Sequence, residues 1–273
     1  MSIITISRPS CSKGKIVAEK VAETLGYECL SREVLLEASE QFNVPEPMLA
    51  KAIHDGPTGY DHFSHAKESY TAFVKSALLT HLKKDNVVYH GLAGHFFVQD
   101  VPHILKVRLV ADMEARVAEE MERENISEDE ARKRLEKDDK ERCNWSTYFY
   151  KTDTRSCELY DLVINLRHIS IDECVTIILK TLELDYFTET RQAKAQLEDM
   201  ALCATLKAAI VNRYHSAEIT SQARRVTIRL PEPVAHVEKA KEEIRTLIAG
   251  IQGPIEIYFD VKSNLLTRTA MHK

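Results

Sequence analysis

The sequence has few features of a metal centre, a redox protein or a membrane protein. Its six cysteines are scattered without a Cys-x-x-Cys pair, which argues against a zinc knuckle and against a dithiol redox motif. No apolar run approaches the ~18 residues that a membrane-spanning helix needs. No basic segment precedes an apolar stretch near the start of the sequence. We therefore expect no membrane span, no secretion, and a cytoplasmic location with reduced thiols.

The histidines do not form an evident metal site either. His62 and His65 are spaced i, i+3, and His90 lies near His95, but no cysteine or carboxylate falls at ligand spacing beside them. We therefore expect no structural metal and no tightly bound cofactor.

The net charge of −5 is spread unevenly along the 273 residues. Residues 1–190 carry 24 Lys and Arg against 33 Asp and Glu, whereas residues 191–273 carry 13 against 9. So small a positive surplus, with no run of Lys and Arg interleaved with aromatics, does not indicate nucleic-acid binding. The change of sign predicts a domain boundary near residue 190, and the chain is long enough for one large core and a smaller one.

Short apolar segments alternate with helical patterns through the first 185 residues. Strands are predicted at residues 3–6, 27–30, 86–89, 104–111 and 162–166, and the first helix ends at Gly26. Buried strands separated by helices are typical of a parallel sheet that is covered on both faces. We therefore predict an α/β domain over residues 1–187.

The remaining residues, 188–273, are predicted to form a small α+β domain. Helices are expected over about 190–212 and 234–248, with strands near 218–221, at 225–230 and at 255–261. This α-β-β-α-β order is about the smallest that forms its own core. It faintly resembles the BON-like modules thought to bind ligands, lipid surfaces or protein partners. We expect it to serve dimerisation, regulation or a protein partner.

Residues 113–142 form a densely charged part of the chain. Ser127 and Glu130 are spaced as a capping box that begins a new helix, and the apolar face of this helix holds little beyond Ala131 and Leu135. A helix with so narrow an apolar face is expected to lie over the surface as a mobile arm. The aromatic residues at 145–150 could stack on a base, although such stripes are more often packing.

A loop that contains serine and glycine connects the first strand to the first helix. The backbone N–H groups of such a loop, and the helix N-terminus behind it, are suited to bind phosphate. The loop departs from the Gly-x-x-x-x-Gly-Lys-[Ser/Thr] pattern, because Arg8 replaces the first glycine, Gly14 stands where the lysine would be, and Ile16 offers no hydroxyl to magnesium. The pattern alone leaves open whether Lys13 and Lys15 bind phosphate or are solvated residues at a helix start.

Several segments of the first 185 residues resemble, in order, the cytidylate-kinase-like family, a bacterial branch of the P-loop kinases. They are the opening strand and loop at 4–20, the Ser-Arg-Glu at 31–33, the strand and glycine turn at 87–94, the lid segments at 126–128 and 139–142, and the closing strand at 160–165. The resemblance implies a P-loop kinase-type parallel sheet with a helical lid. It also implies that ATP binds with Mg²⁺ as a substrate complex.

The resemblance implies that the loop binds the donor nucleotide. Family members commonly place the loop's basic residue one step later, which here is Lys15, and Lys13 adds a second charge. Both lysines are therefore predicted to be catalytic and to reach the β- and γ-phosphates of ATP. The predicted nucleotide-binding residues are Arg8, Ser10, Cys11, Ser12, Lys13, Gly14, Lys15 and Ile16.

The third predicted catalytic residue is Arg142, on the charged helix. Phosphoryl transfer needs positive charge aligned around the transferring group. Asp138 precedes Arg142 by four residues and shares its helix face, so its carboxylate can orient the guanidinium. Arg116 resembles the arginine that begins the lid arm of such kinases. A competing interpretation is that these residues form surface ion pairs or hold their helices in place.

The acceptor site is predicted at the ends of the second and third strands. Arg32 is suited to bind a phosphate bidentately, and His90, Gly91 and Gly94 are expected to line the pocket. Cytidylate kinases usually carry an arginine where this chain has Leu92. Loss of one bidentate arginine typically lowers phosphate affinity ~100-fold. The sequence therefore leaves open whether the acceptor is CMP, another small molecule or none.

Two functional hypotheses remain. The first is ATP-dependent phosphoryl transfer to a small acceptor, foremost a nucleoside monophosphate such as CMP or dCMP. The second is a catalytically silent nucleotide sensor that acts through the C-terminal domain. The missing hydroxyl at Ile16 and the missing arginine at Leu92 favour the sensor. The retention of Asp138 and Arg142 in a lid favours the enzyme.

Overall fold

The computed structural model describes residues 2–56, 65–234, 236–251 and 256–263. Within these ranges, the first part of the chain forms a sheet of five strands: β1 (Ile3–Ser7), β2 (Glu28–Leu30), β3 (Val87–Tyr89), β4 (Ile104–Val110) and β5 (Leu162–Asn165). The strand order is β2-β3-β1-β4-β5, and each neighbouring pair is parallel. The predicted α/β domain with a parallel sheet is confirmed.

Helices connect and cover these strands. Those in the described ranges are α1 (Gly14–Leu25), α2 (Glu33–Phe42), α3 (Glu46–His54), α4 (Ala66–Leu82), α5 (Gly94–Phe97), α6 (Met113–Glu124), α7 (Glu128–Tyr150) and α8 (Ile171–Leu182). No element is predicted from the sequence at α3, although Leu49, Ala52 and Ile53 form a buried helical stripe there. The structure thus adds one helix, α3, that was not predicted from the sequence.

Both faces of the sheet carry a core, because successive residues of a strand point to opposite sides. Ile3 packs with Leu78 of α4 in the larger cluster, which we call the main core. Its neighbour Ile4 packs with Val17 and Val21 of α1 on the other face. Burial on both faces explains why the strands read as continuous apolar runs and not as alternating ones.

Helices α6 and α7, here called the lid, lie between β4 and β5 in the chain. Ser127 caps α7, as its spacing predicts. The first half of α7 is largely exposed, as its narrow apolar face predicts, but Ala131 and Leu135 are at most 2% exposed. They pack with Cys11 and Val117 in a small group, which we call the lid cluster. The loop and α6 supply apolar partners that the pattern of one helix does not reveal.

The second half of α7 enters the main core. Trp145 is 3% exposed, and its indole N–H donates a hydrogen bond to the carbonyl of Ala52 at 2.8 Å. The rings of Phe96, Phe149 and Tyr150 lie around it. Most of the aromatic stripe at 145–150 therefore packs in the main core, the more frequent of the two predicted roles, and stacking on a base stays a prediction.

The rest of the chain forms a smaller α+β region. Its elements are α9 (Arg191–Ile210), β6 (Glu218–Gln222), β7 (Arg225–Val234), α10 (Val237–Ile248) and β8 (Glu256–Ser263). The strand order is β6-β7-β8, with β7 antiparallel to β6 and parallel to β8. The predicted α-β-β-α-β order is confirmed, whereas the likeness to BON modules stays a prediction.

Helix α9 belongs to two cores at once. Leu197 and Ala201 pack in the main core, whereas Leu206 and Ile210 pack with the three-stranded sheet. The helix is therefore a shared wall between the two regions, and the boundary at residue 187 stays a prediction. In the described part of the chain, we find no helix that is both long and apolar enough to cross a bilayer.

Candidate active site at the carboxyl edge of the parallel sheet

Parallel strands bring their carboxyl ends to one edge of the sheet, where α/β proteins usually bind ligands. The loop after β1 and the turn after β3 meet at this edge. A cavity of about 190 Å³ lies between them and the lid. A second cavity, of about 160 Å³, lies beside it toward β2. Arg8, Ile53, Gly91, Leu92 and Arg142 line both cavities.

The loop after β1 follows an unusual backbone path. Cys11 and Lys13 adopt left-handed conformations with φ of 53° and 56°, which favour glycine. Lys13 stands at the second glycine of the phosphate-loop pattern, so the backbone keeps the glycine conformation without the glycine. The Ser12 hydroxyl donates to the carbonyl of Pro9 at 2.8 Å, which holds the turn closed.

Helix α1 begins directly after this loop, at Gly14. Among the described residues, no side chain caps the helix and no carboxylate lies in its first turn. Its first N–H groups and the positive end of its dipole therefore face the loop without a competing acid. This arrangement is suited to bind phosphate.

Arginines surround the first cavity. Its lining contains one carboxylate among the described residues, Asp139, and five arginines: Arg8, Arg108, Arg116, Arg142 and Arg155. Guanidinium groups bind phosphate oxygens through paired N–H donors. The lining therefore has the positive charge that favours an anionic ligand.

Arg142 holds the lid against the loop. Its Nη1 donates to the carbonyl of Arg8 at 2.6 Å, and its Nη2 donates to the Ser10 hydroxyl at 2.9 Å. Asp138, one turn earlier, pairs with Arg142 at 3.2 Å and accepts a hydrogen bond from Ser10 at 2.7 Å. The structure thus places Asp138 and Arg142 together at the loop, as the spacing of the two residues predicts.

Arg116 makes a second contact between lid and loop. Its Nε donates to the carbonyl of Ser10 at 2.8 Å. Its two terminal nitrogens donate to the carboxylate of Asp139 at 2.7 and 2.9 Å. Arg116 is 4% exposed, so this bidentate pair is largely shielded from water. It fixes α6 and α7 to each other at the cavity.

His54 connects α3 to the lid. Its Nε2 lies 2.6 Å from Asp138 Oδ1, and its Nδ1 lies 2.6 Å from Asp55 Oδ1. Burial lowers the pKa of His54, but hydrogen bonds to Asp138 and Asp55 outweigh burial and raise it overall. Burial raises the pKa of Asp138, but His54 and Arg142 lower it to about 2. His54 therefore lies between two carboxylates that favour its protonated form, and its contacts join α3 to α7.

A group of polar side chains forms the floor of the first cavity. The Tyr160 hydroxyl donates to the Thr154 carbonyl at 2.7 Å and lies 3.0 Å from His95 Nε2. Arg108 stands over the Tyr160 ring, 5.5 Å from its centroid. Burial lowers the pKa of His95 to about 3, so this imidazole is neutral near pH 7. The floor therefore offers neutral polar groups beneath the arginines.

The second cavity contains most of the predicted acceptor residues. Arg32 is paired with Glu46 at 2.9 Å, so its guanidinium is already occupied. Burial, followed by the charge of Arg8, lowers the pKa of His90 to about 4. Gly91 has no room for a side chain, because a Cβ would lie 2.3 Å from the Tyr89 hydroxyl.

The other predicted residues lie outside the two cavities. Lys13 is exposed at the start of α1, and Lys15, 66% exposed, pairs with Glu19 at 3.7 Å. Ile16 is 44% exposed. Gly94 begins α5 beneath the Tyr89 ring.

The loop cysteine is part of the lid interface. Cys11 is buried, and its Sγ donates to Glu120 Oε2 at 3.0 Å. Burial and this hydrogen bond raise the pKa of Cys11 to about 12. Its thiol is therefore protonated near neutral pH and packs against α6, away from both cavities.

The polar residues of this site that sequence reasoning missed include His54, Arg108, Arg155 and Tyr160. Arg108 had a visible signal, because it interrupts the apolar strand β4 with a charge. His54 ends α3, and Arg155 and Tyr160 follow α7. The position of all three relative to the loop after β1 is set by tertiary packing. Among the described residues, no group of three side chains is placed to hold a metal ion. His62 lies outside the described residues.

Comparisons with known proteins cover the same part of the chain. A model of the cytidylate kinase-like family matches residues 3–168. The crystal structure of an uncharacterised protein from Eubacterium ventriosum is 20% identical, with a TM-score of 0.52, and covers 67% of this chain and 99% of that chain. No curated protein gives a match.

Two kinases are more distant structural neighbours. Shikimate kinase from Acinetobacter baumannii, solved with shikimate, is 14% identical with a TM-score of 0.42, covering 67% of this chain and 93% of its own. A gluconokinase from Sinorhizobium meliloti is 15% identical with a TM-score of 0.38, covering 66% and 91%.

Proposed function

Since the chain belongs to the cytidylate kinase-like family, we propose that it transfers the γ-phosphoryl group of ATP to a small acceptor. The family and the P-loop kinase fold support nucleotide binding and phosphoryl transfer. The finer proposal is that the acceptor is a nucleoside monophosphate, with CMP and dCMP as the first to test. ATP brings Mg²⁺ as part of the substrate complex.

The observation that carries this proposal is the charge of the first cavity. Five arginines and one carboxylate line it in the described residues. A transferring phosphoryl group spreads negative charge over its oxygens, and enzymes stabilise it mainly by positioned positive charge. A cluster of arginines at the end of a phosphate-type loop is the arrangement that this reaction requires.

The lid arginines have the geometry for a role in transfer. Arg142 and Arg116 already contact the loop carbonyls of Arg8 and Ser10. A donor phosphate bound on the loop would therefore lie within reach of both guanidinium groups. Lys13 and Lys15 remain candidates for the donor phosphates, from the exposed side of the loop.

The acceptor would enter from the second cavity, because that cavity shares its wall with the first. Arg32 already donates to Glu46 from Nε and Nη2, so a bidentate contact with an acceptor phosphate through that edge requires the release of Glu46. Leu92 lines both cavities and offers no charge. We therefore expect binding of the acceptor phosphate to depend on Arg142 more strongly than in relatives that carry an arginine at the position of Leu92.

Magnesium coordination must come mainly from the nucleotide. The Ser12 hydroxyl is committed to Pro9, and the lid carboxylates Asp138 and Asp139 are paired with arginines. The ion would be bound by the phosphates and water, as Mg²⁺ often is in such sites.

The test is phosphoryl transfer from MgATP to a panel of ribo- and deoxyribonucleoside monophosphates, measured as ADP formation. We expect turnover with at least one monophosphate and a loss of that turnover in Arg142→Ala. Turnover of small sugar acids but of no monophosphate would reject the finer proposal and keep the kinase.

The second candidate function is a nucleotide sensor. Leu92 favours it, because an apolar residue stands in the wall of both cavities. Such a protein would bind ATP without turnover and would act through the three-stranded region, by self-association or through a protein partner. Calorimetric titration with MgATP, run beside the turnover assay, separates the two functions.

A further inference from the structure

Arg8 has no direct ion-pair partner among the described residues, although the charges of Glu119 and Asp138 act to raise its pKa. Among the described residues, its guanidinium has no hydrogen bond or ion pair, and its Nε is buried without a partner. Arg142, which contacts the Arg8 carbonyl, is paired with Asp138, but its Nε is also buried without a partner. Two neighbouring arginines thus line both cavities with donor groups left over.

Such a pair is unfavourable without an anion. Burial, followed by the charge of Arg142, lowers the pKa of Arg8, and burial lowers that of Arg142. A phosphate group that accepts hydrogen bonds from both guanidinium groups would satisfy the free donors and remove the repulsion. The two side chains therefore have the properties of a phosphate clamp that is open on the cavity side.

Gly14 explains how Arg8 reaches this position. A Cβ at residue 14 would lie 2.2 Å from Cδ of Arg8 and 3.0 Å from its Cβ. The stem of Arg8 therefore crosses the first residue of α1 in the space that any side chain at 14 would fill. In the phosphate-loop pattern, glycine stands at position 8 and lysine at position 14. This chain has the reverse arrangement, with the charge at 8 and the space at 14.

We propose that Arg8 replaces the phosphate-loop lysine, and that Arg8 and Arg142 together bind the terminal phosphates of the donor nucleotide, with Gly14 kept small to admit the Arg8 stem. The proposal rests on the donor site of the proposed function. The proposal assigns the main positive charge of that site to Arg8, whereas the sequence predicts Lys13 and Lys15 in this role.

The positions of the two lysines support this choice. Lys15 is 66% exposed and pairs with Glu19, and neither lysine lines the two cavities. An exposed ammonium on a flexible stem is screened by water and contributes little to binding. A partly buried guanidinium without a counter-ion contributes far more when it meets phosphate.

The first experiment is calorimetric titration of the full chain with inorganic tripolyphosphate and with MgATP. Arg8→Met keeps most of the stem and removes the charge. We expect affinity for both probes to fall about 10- to 100-fold, the range of a lost charge-assisted hydrogen bond. Arg229→Met is the matched control, because Arg229 lies on β7 in the three-stranded sheet. Its affinities should equal those of the wild type.

The second experiment moves the charge. The variant Arg8→Gly/Lys13→Gly/Gly14→Lys restores the two glycines and the lysine of the usual pattern, and we expect it to bind tripolyphosphate within about fivefold of the wild type. It also answers the objection that Arg8→Met only disturbs the loop, because a structural lesion is not repaired by a lysine six residues away.

The outcomes separate this proposal from the kinase. Binding that depends on Arg8, with no turnover of any acceptor, supports the clamp and rejects the kinase. Turnover with tripolyphosphate affinity that changes less than threefold in Arg8→Met rejects the clamp and supports the kinase. A larger loss in Lys13→Ala/Lys15→Ala than in Arg8→Met, or a wild type that binds neither probe, also overturns the clamp.

Discussion

Leu135 in the first half of α7 and Trp145 in its second half are almost equally buried, yet they pack in different places. Leu135 lies in the lid cluster with Cys11 of the loop and Val117 of α6. Trp145 lies in the main core beneath the sheet. One helix is thus fixed to the body of the domain at one end, and to the loop it covers at the other.

The difference suggests how a site of this kind opens. Asp138 and Arg142, which contact the loop, lie between the two anchors. Separating the first half of α7 from the loop breaks the lid cluster and these polar contacts but leaves the main core intact. Regions held by few apolar contacts open at lower free energy than the rest of a protein. Substitutions at the two ends should therefore have different consequences.

The largest expected effect is on global stability, from Trp145→Ala. Removing a buried tryptophan typically costs 3–5 kcal/mol, and here the hydrogen bond to Ala52 is lost as well. Chemical denaturation followed by circular dichroism measures the change in unfolding free energy. Tyr186→Ala is the control, because that ring is 65% exposed. A loss below about 1.5 kcal/mol would mean that the second half of α7 is no anchor.

The next effect is on turnover, from Arg142→Lys. A lysine keeps the charge but cannot donate to Arg8 and Ser10 in the geometry of the guanidinium. We expect kcat for the preferred acceptor to fall roughly 100-fold with little change in stability. Arg134→Lys on the same helix is the control, since Arg134 pairs with Glu120, Glu124 and Glu130 and lines neither cavity. Equal losses in both variants would contradict a special role for Arg142.

Leu135→Ala tests the other end of α7. Truncation of a buried leucine typically lowers stability by ~2–3 kcal/mol, the low end of the usual range. Here we expect only the lid to become less stable. Hydrogen exchange should accelerate at amides of α6 and the first half of α7, while amides near Trp145 keep their protection. Uniform acceleration throughout the domain would show that the two ends do not open separately.

The fold was largely predictable because it follows from local patterns. The strands of the parallel sheet lie within a few residues of their apolar runs, and Ser170 with Glu173 forms the capping box of α8. The lid cluster was not predictable. Cys11 and Leu135 carry no sign in sequence that they meet, because their contact depends on how α7 crosses the loop.

The site was predicted less well for the same reason. Basic residues in and near the loop were visible, but the backbone conformation decides which of them face the cavities. Arg142 meets the Arg8 carbonyl across 134 positions of sequence, and no spacing rule links them. Asp138 and Arg142 were placed together correctly because one helical turn sets their separation.

A smaller effect concerns pH and the contact of His54 with the lid. The pKa of His54 is raised by its carboxylate partners, so its contribution to stability is complete below pH ~6.5. It is lost as pH rises through the raised pKa. Asp138, whose pKa is about 2, keeps its charge throughout this range. We expect the wild type to exceed His54→Gln by about 1–2 kcal/mol at pH 6, and the two to converge at alkaline pH.

That difference is measured by denaturation of both proteins across pH 5–9. Lys51→Gln, one turn earlier on α3, is the control for loss of a positive charge from that helix. A gap between the wild type and His54→Gln that stays constant, or that widens as pH rises, would mean that the imidazole acts as a neutral spacer and not as a cation.

The smallest effect separates the two left-handed residues of the loop, of which one belongs to the lid cluster and the other does not. Left-handed φ at a non-glycine residue costs ~1–2 kcal/mol. Glycine removes this strain, but part of the stabilisation is offset because glycine loses more backbone entropy on folding. Lys13→Gly should therefore stabilise the protein by about 0.5–1 kcal/mol. Cys11→Gly gains the same relief but loses its packing and its hydrogen bond to Glu120, so it should destabilise. If Lys13→Gly destabilises as Cys11→Gly does, the Lys13 side chain supports the loop, and the lid cluster is not what distinguishes the two positions.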